Sequence, residues 1–409
     1  MMKRIYTPGK KRSVLFVDDD QLFIEAQREN LERHGFRVLT ANSLKSAAQK
    51  LAEEAVVLVL VDVCAPGMGG VEILQGLRAQ TEVALPPMVA FVNPYLNNLA
   101  RAAQEAGASK CLTKAARSPG QLFESVRELL GLTSRDDSAG DELDSDAALE
   151  LAASLRGSES QFLSGLRTSQ QIFARTEHEE SRRAELREMH RRVRSLSIAG
   201  MAGLQKLSQM ADAFEALLIE LHAKPKKITP SVNRTVAQAI DSLAALFAQA
   251  GRAQSEFANT PRILVVDDEI ISRETICSAL ERAKMTARSF DDSLAALQTL
   301  EQEQFDLIFL DVEMPGLTGF ELCVKIRETT ANASTPVVFV TAHSDFGSRA
   351  QSALSGGNDF ITKPFLAGEL AVKALACLFK EKPRAVVSAP AARAPNAMEE
   401  LGLVAASTR

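Results

Sequence analysis

Long apolar runs, basic blocks and paired cysteines are what this 409-residue sequence has least of. No apolar segment reaches the ~20 residues that a bilayer-spanning helix needs, so a membrane span is excluded from the reading. The residues before Ser13 are basic, but the apolar stretch after them stops at Val17 ahead of three aspartates, too short for a signal peptide. The longest basic run is Lys10-Lys11-Arg12 and the formal net charge is −5, which argues against a nucleic-acid surface. The cysteines Cys64, Cys111, Cys277, Cys323 and Cys377 are odd in number, scattered and without metal-ligand spacing. They read as small core residues of a reducing compartment. The expectation is a cytoplasmic protein with no membrane and no nucleic-acid partner.

What is present is alternation. Val14-Leu15-Phe16-Val17 is a short apolar strand that ends in Asp18-Asp19-Asp20. After it, strand and helix candidates alternate to about Leu130, with strands at Phe36–Leu39, Val56–Val61, Met88–Val92 and Ser109–Leu112. Five β-α units in about 120 residues predict a doubly wound parallel sheet. From Thr133 to Asp146 the aliphatics thin out, as in a solvated linker. Between Ala147 and about Ala250 strand signals vanish and helix formers dominate, with one break at Lys224–Pro230, so this middle third reads as an all-helical bundle. At Arg262 the first pattern returns. Asp18 and Asp267, Asp62 and Asp311, Val92 and Thr341, and Lys114 and Lys363 all share one spacing (311 − 62 = 249). Two copies of one fold therefore flank the bundle. The partition is a basic tail (1–11), a first α/β copy (12–131), a linker (132–146), the bundle (147–257), a short linker (258–261), a second α/β copy (262–381) and a disordered tail (382–409) rich in Ala and Pro.

In the second copy Asp267, Asp268, Asp311 and Lys363 each fall at the carboxyl end of a predicted strand, so the fold gathers them at one crevice. Three carboxylates without a cation would repel one another, and a small set of hard oxygen ligands suits Mg²⁺. Lys363 can neutralise a phosphoryl oxygen, and Thr341 offers a hydroxyl donor. A nucleophilic carboxylate, a divalent cation and two donors are what phosphoryl transfer to aspartate requires.

On these residues both copies resemble receiver domains of two-component response regulators, which have a flavodoxin-like five-stranded parallel sheet. The resemblance implies that Asp311 is the phospho-acceptor and that Asp267 and Asp268 place Mg²⁺ with the backbone carbonyl of Glu313. It further implies that Lys363 contacts phosphate ahead of a cis Pro364, and that Thr341 and Phe360 form the switch pair. The first receiver keeps Asp18, Asp19, Asp62 and Lys114, so metal binding and phosphorylation of Asp62 stay possible. Val92 stands at the Thr341 position, Cys111 at Phe360 and Ala115 at Pro364, and Cys64-Ala65 replace Glu313-Met314. The expectation is a receiver that couples poorly to a switch, with docking as an alternative role.

The middle segment around Met189-His190-Arg191-Arg192-Val193-Arg194-Ser195-Leu196 resembles a histidine phosphotransfer domain. By the family's register the acceptor position is Arg194, and a guanidinium has no lone pair to attack phosphorus. At ~100° per residue, His190 lies about 80° and Arg194 about 120° from the apolar stripe of Leu186, Met189, Val193 and Leu196. Arg194 is thus expected to be the more exposed, in a pseudo-phosphotransfer platform without phosphoryl chemistry; the alternative is that His190 serves as substitute acceptor. Arg182-Arg183 and Arg191-Arg192-Arg194 read as a solvated face that could also meet an acidic crevice.

Together these readings predict a phosphorylation-controlled signalling protein of a phosphorelay, with a histidine kinase or phosphotransfer protein as donor and a downstream signalling protein as partner. It would not be an enzyme beyond the phosphorylation and dephosphorylation of its own receivers. The alternatives are a non-phosphorylated scaffold and a phosphate-ester hydrolase that uses Asp311 as nucleophile.

Overall fold

The first α/β copy has strands β1 (Arg12–Val17), β2 (Phe36–Ala41), β3 (Val56–Asp62), β4 (Met88–Phe91) and β5 (Lys110–Leu112). Between and after them run helices α1 (Gln21–Arg33), α2 (Leu44–Glu53), α3 (Gly70–Gln80), α4 (Asn97–Glu105) and α5 (Pro119–Leu129). All pairings are parallel and the strand order is β2-β1-β3-β4-β5. Helices cover both faces of such a sheet, so a central strand loses its alternation. Every residue of β3, Val-Val-Leu-Val-Leu-Val-Asp, is buried, the terminal acid included. A computed structural model describes residues 12–65, 67–80, 85–114, 119–132, 145–249, 260–342 and 354–380. The expected amino-terminal tail, Ala115, His343, nearly all of the first linker and the tail after residue 381 lie outside them.

The middle segment is helical, as expected: α6 (Ser145–Gly157), α7 (Glu159–Arg175), α8 (Glu179–Arg194), a 3-10 helix at Ser195–Ala202, α9 (Gln205–Ala223) and α10 (Pro230–Gln249). Helix α9 is buried on nearly all sides and forms the axis of the bundle. The second α/β copy follows with β6 (Arg262–Val266), α11 (Ile270–Arg282), β7 (Thr286–Phe290), α12 (Ser293–Gln302), β8 (Leu307–Asp311) and α13 (Gly319–Glu328). It closes with β9 (Val337–Thr341), β10 (Asp359–Thr362) and α14 (Ala367–Leu378). Its strand order, β10-β9-β8-β6-β7, is that of the first copy read from the other edge.

The repeat extends to a tight approach that the acid spacing alone does not reveal. Gly70 and Gly319 are again 249 apart (319 − 70 = 249). At either one a Cβ would overlap the carbonyl oxygen of the strand-end aspartate, Asp62 or Asp311. Only glycine lets the following helix start this close to the strand. The α/β copies and the bundle pack continuously as far as Phe379. One apolar cluster joins bundle residues such as Phe214 and Leu243 to Leu370 and Leu375 of α14, and it includes Tyr95 and Leu96 of the first copy. In return, Ile198 of the bundle is buried in a core of the first copy, beside Phe16, Phe23 and Phe91.

Candidate functional site

Parallel strands end on the same edge, so the carboxyl ends of β6, β8, β9 and β10 bring Asp267, Asp268, Asp311, Thr341 and Lys363 together. Asp267, Asp311 and Thr341 are buried, while Asp268 is exposed. One carboxylate oxygen from each of the three acids lies within 4.8 Å of the others. Lys363 Nζ is 3.0 Å from Asp267 and 3.0 Å from Asp311. Ser272 donates to Asp267 at 2.5 Å, which fixes one carboxylate oxygen, and the Glu269 amide holds the other at 3.0 Å. Burial pushes the Asp311 carboxyl above its ordinary range; Lys363 opposes this and Asp267 adds to it. Lys363 is raised because its two carboxylate partners outweigh the cost of burying an ammonium. The Lys363–Pro364 peptide is cis.

These residues fit a hard divalent cation. Three oxygens converge, one from an exposed acid, so part of the coordination sphere opens to solvent, as Mg²⁺ with retained waters prefers. A strained cluster of like charges would gain most from such an ion.

The same positions in the first copy are occupied differently. Lys114 Nζ is 2.6 Å from Asp18, 2.8 Å from Asp62 and 3.7 Å from Asp20. A second cation enters from the bundle: Arg194, the last residue of α8, sits 3.2 Å from Asp62 and 3.4 Å from Asp18, and also pairs with Asp19. Burial would raise Asp62, but Lys114 and Arg194 together hold it below the usual carboxylate range. Burial pushes Asp18 up to about 7 against the pull of Lys114. The carboxylates that a metal would need are already committed to two cations. Among the described residues, only Asp267, Asp268 and Asp311 bring three candidate ligand atoms within 4.8 Å of one another. Mg²⁺ therefore does not fit the first site as it stands.

One expectation needs correction here. Arg194 is not the exposed side chain of α8; it is 3% exposed. The wheel treats the helix alone, and the face it leaves to solvent is the one that the first α/β copy covers. His190 is buried too, with Nε2 3.2 Å from Glu215. That glutamate also accepts from Asn93 Nδ2 at 2.7 Å, and Asn93 donates a second bond to the Asp212 carbonyl at 2.8 Å. Arg191 and Arg192 pair with Glu188 and keep to the bundle surface. The histidines His34 and His178 are exposed and His222 is half-buried. The cysteines are free, Cys64 and Cys323 buried and the others half-buried.

Sequence reasoning missed a second polar contact, between α10 and the second copy. Ser231 donates to Glu369 at 2.6 Å, and Lys373 Nζ reaches Asp359 at 2.7 Å and Gln238 at 3.2 Å. The Arg234 guanidinium lies 3.8 Å from the centre of the Phe360 ring. The signal was available: Glu369 and Lys373 are one turn apart on a helix otherwise nearly all apolar, so they needed buried partners.

Comparison with known families matches the response regulator receiver domain at residues 14–127 and 263–375. The transcriptional regulatory protein ResD of Bacillus subtilis is 36% identical over 120 residues, which are 29% of this chain and 49% of that protein. The phosphate regulon transcriptional regulatory protein PhoB of Escherichia coli is 34% identical over 125 residues, 31% of this chain and 55% of that protein. The chain thus spans about half the length of the curated relatives it matches. Among solved structures, the receiver domain of the sensor histidine kinase PA1611 of Pseudomonas aeruginosa, described with a magnesium ion in its active-site cleft, aligns at 25% identity with a TM-score of 0.27. That alignment covers 29% of this chain and 98% of the other. The two matched segments take up more than half of the 409 residues, and on that ground the chain belongs to the response regulator receiver domain family.

Proposed function

We propose that this is a phosphorylation-controlled signalling protein in which the second receiver accepts a phosphoryl group on Asp311 and the bundle receives the consequence. The observation that carries the reading is the convergence of Asp267, Asp268 and Asp311 with Lys363 at 3.0 Å from two of them. Mg²⁺, held by these three acids and the Glu313 carbonyl, would neutralise charge on the phosphoryl oxygens. An Asp311 oxygen attacks phosphorus on a phosphohistidine of a kinase or phosphotransfer protein. The P–O bond forms as the P–N bond breaks, and the donor imidazole keeps the electron pair and takes up a proton. Lys363 turns from a carboxylate partner into a partner of the new phosphoryl oxygens, and Thr341 donates its hydroxyl to one of them.

The route outward begins at Phe360. Its ring lies under Arg234, and its carbonyl accepts from Ser231 at 3.4 Å. Movement of this ring behind Thr341 would break the cover that α10 provides and bias the docking of the bundle. The middle bundle is read as a pseudo-phosphotransfer domain: Arg194 stands at the acceptor position, and His190 is occupied by Glu215. The transcriptional roles named for ResD and PhoB are not carried over, because the match covers about half of each.

Intact mass after treatment with Mg²⁺ and a small phosphodonor tests the reading. One phosphoryl adduct is expected, absent in Asp311→Ala and kept in Asp62→Ala. An adduct that survives Asp311→Ala refutes it, and multiple turnover of phosphate esters would identify a hydrolase instead.

A further inference from the structure

We infer that the first receiver is an internal socket for Arg194, whose guanidinium takes the place a divalent cation would have, so that metal binding at Asp18, Asp19 and Asp62 and docking of the bundle exclude each other. The fork of the guanidinium is shared out: Nη1 faces Asp62, and Nη2 faces Asp18 and Asp19. Lys114 supplies the second positive charge from within the receiver. Two cations face four acids, Asp18, Asp19, Asp20 and Asp62, of which Asp19 keeps access to solvent, so most of the buried negative charge is paired. An arginine suits the task better than a lysine, since its planar donors can serve several carboxylates at once.

The docking around it is built, not incidental. Asn93 reaches into the bundle to Glu215 and the Asp212 carbonyl, and within the bundle Ser197 donates to the Asp212 carboxylate at 2.8 Å. Ile198 enters an apolar core of the receiver while Tyr95 and Leu96 enter that of the bundle. The same features explain why Arg194 selects the first receiver although the second offers the same acids. The residue 249 positions after Asn93 is Ala342 (93 + 249 = 342), which has no side-chain donor for Glu215. Cys64 lines the same small cavity as Asp212 and Glu215 of the bundle, and the residue matching it is Glu313, a further carboxylate.

The inference concerns only the first site and stands whether or not Asp311 is the acceptor. Its test is the number of divalent ions bound by the full chain, counted by Mn²⁺ titration with electron paramagnetic resonance. The wild type is expected to bind one ion, at the second receiver, and Arg194→Gln to bind two, with affinity at the first site raised at least tenfold. In an Asp268→Ala background the counts should fall to none and one, which assigns the gained ion to the first receiver. Two ions in the wild type overturn the inference. So does a single ion in an Arg194→Gln protein whose circular dichroism is native, and so does a gained ion that persists when Asp62→Ala is added.

Discussion

Gly368, near the start of α14, tests how tightly the second receiver is fastened to the bundle. A Cβ at this position would lie 2.5 Å from the Leu217 amide nitrogen and 2.6 Å from its Cα, both in the backbone of α9. Backbone cannot rotate aside as a side chain can, so Gly368→Ala must push the two helices apart by roughly 1 Å to restore van der Waals contact. The Gly368 amide also donates to Glu220 at 2.8 Å, a bond that the shift would stretch. Two terms oppose each other. Alanine gains up to about 1 kcal/mol in helix propensity. Overpacking costs about 1–3 kcal/mol, and the weakened bond to a carboxylate adds about 1.5–3 kcal/mol at most. The net expectation is a loss of about 1.5–5 kcal/mol, read as a lower urea midpoint with faster hydrogen exchange along α9 and α14. A Gly368→Ala protein as stable as the wild type would refute the close approach of these helices.

Other expectations concern the polar contacts. Lys373→Met leaves Asp359 buried without its ammonium and should cost about 3–5 kcal/mol, measured by urea unfolding at neutral pH. Burial would raise Asp359, but Lys373 and Gln238 hold it below its ordinary 3.8. Its stabilising contribution is thus present above that value and lost as pH falls through the depressed folded value. In Lys373→Met no ammonium opposes the effect of burial on Asp359, so the deficit against the wild type should be largest at neutral pH and shrink as pH falls and the carboxyl protonates; a deficit independent of pH would contradict the pairing. Gly319→Ala should disturb the start of α13 and with it Asp311, lowering phosphoryl uptake and stability together by about 2–4 kcal/mol for the latter; uptake at the wild-type rate would count against the close approach. His190→Gln should leave phosphoryl uptake by the full chain unchanged, since His190 serves Glu215; loss of an acid-labile adduct in this variant would restore His190 as an acceptor.

The part of the fold legible in the sequence is the part that backbone topology dictates. Acids and lysines at the ends of parallel strands must converge, so Asp267, Asp311 and Lys363 were readable from spacing alone. What one helix presents to another domain was not. The helical wheel ranked Arg194 as exposed because it knows the apolar stripe of α8 and nothing of a neighbouring receiver. Asn93, Asp212 and Glu215 carry no local pattern, since a buried polar group announces itself only through its partner. Ser231 is equally silent in sequence, a common residue in the first turn of α10.

The two copies of one fold are gripped through different surfaces. The first meets the bundle with the strand-end edge that holds its acids, the second with the side made by β10 and α14. A single wedge of helices therefore lies between the acidic strand-end edge of one copy and the β10–α14 side of the other. Coupling between Asp311 and Asp62 would pass through these helices, and by linkage it would act equally in both directions, so cover on the first receiver would also bias the second.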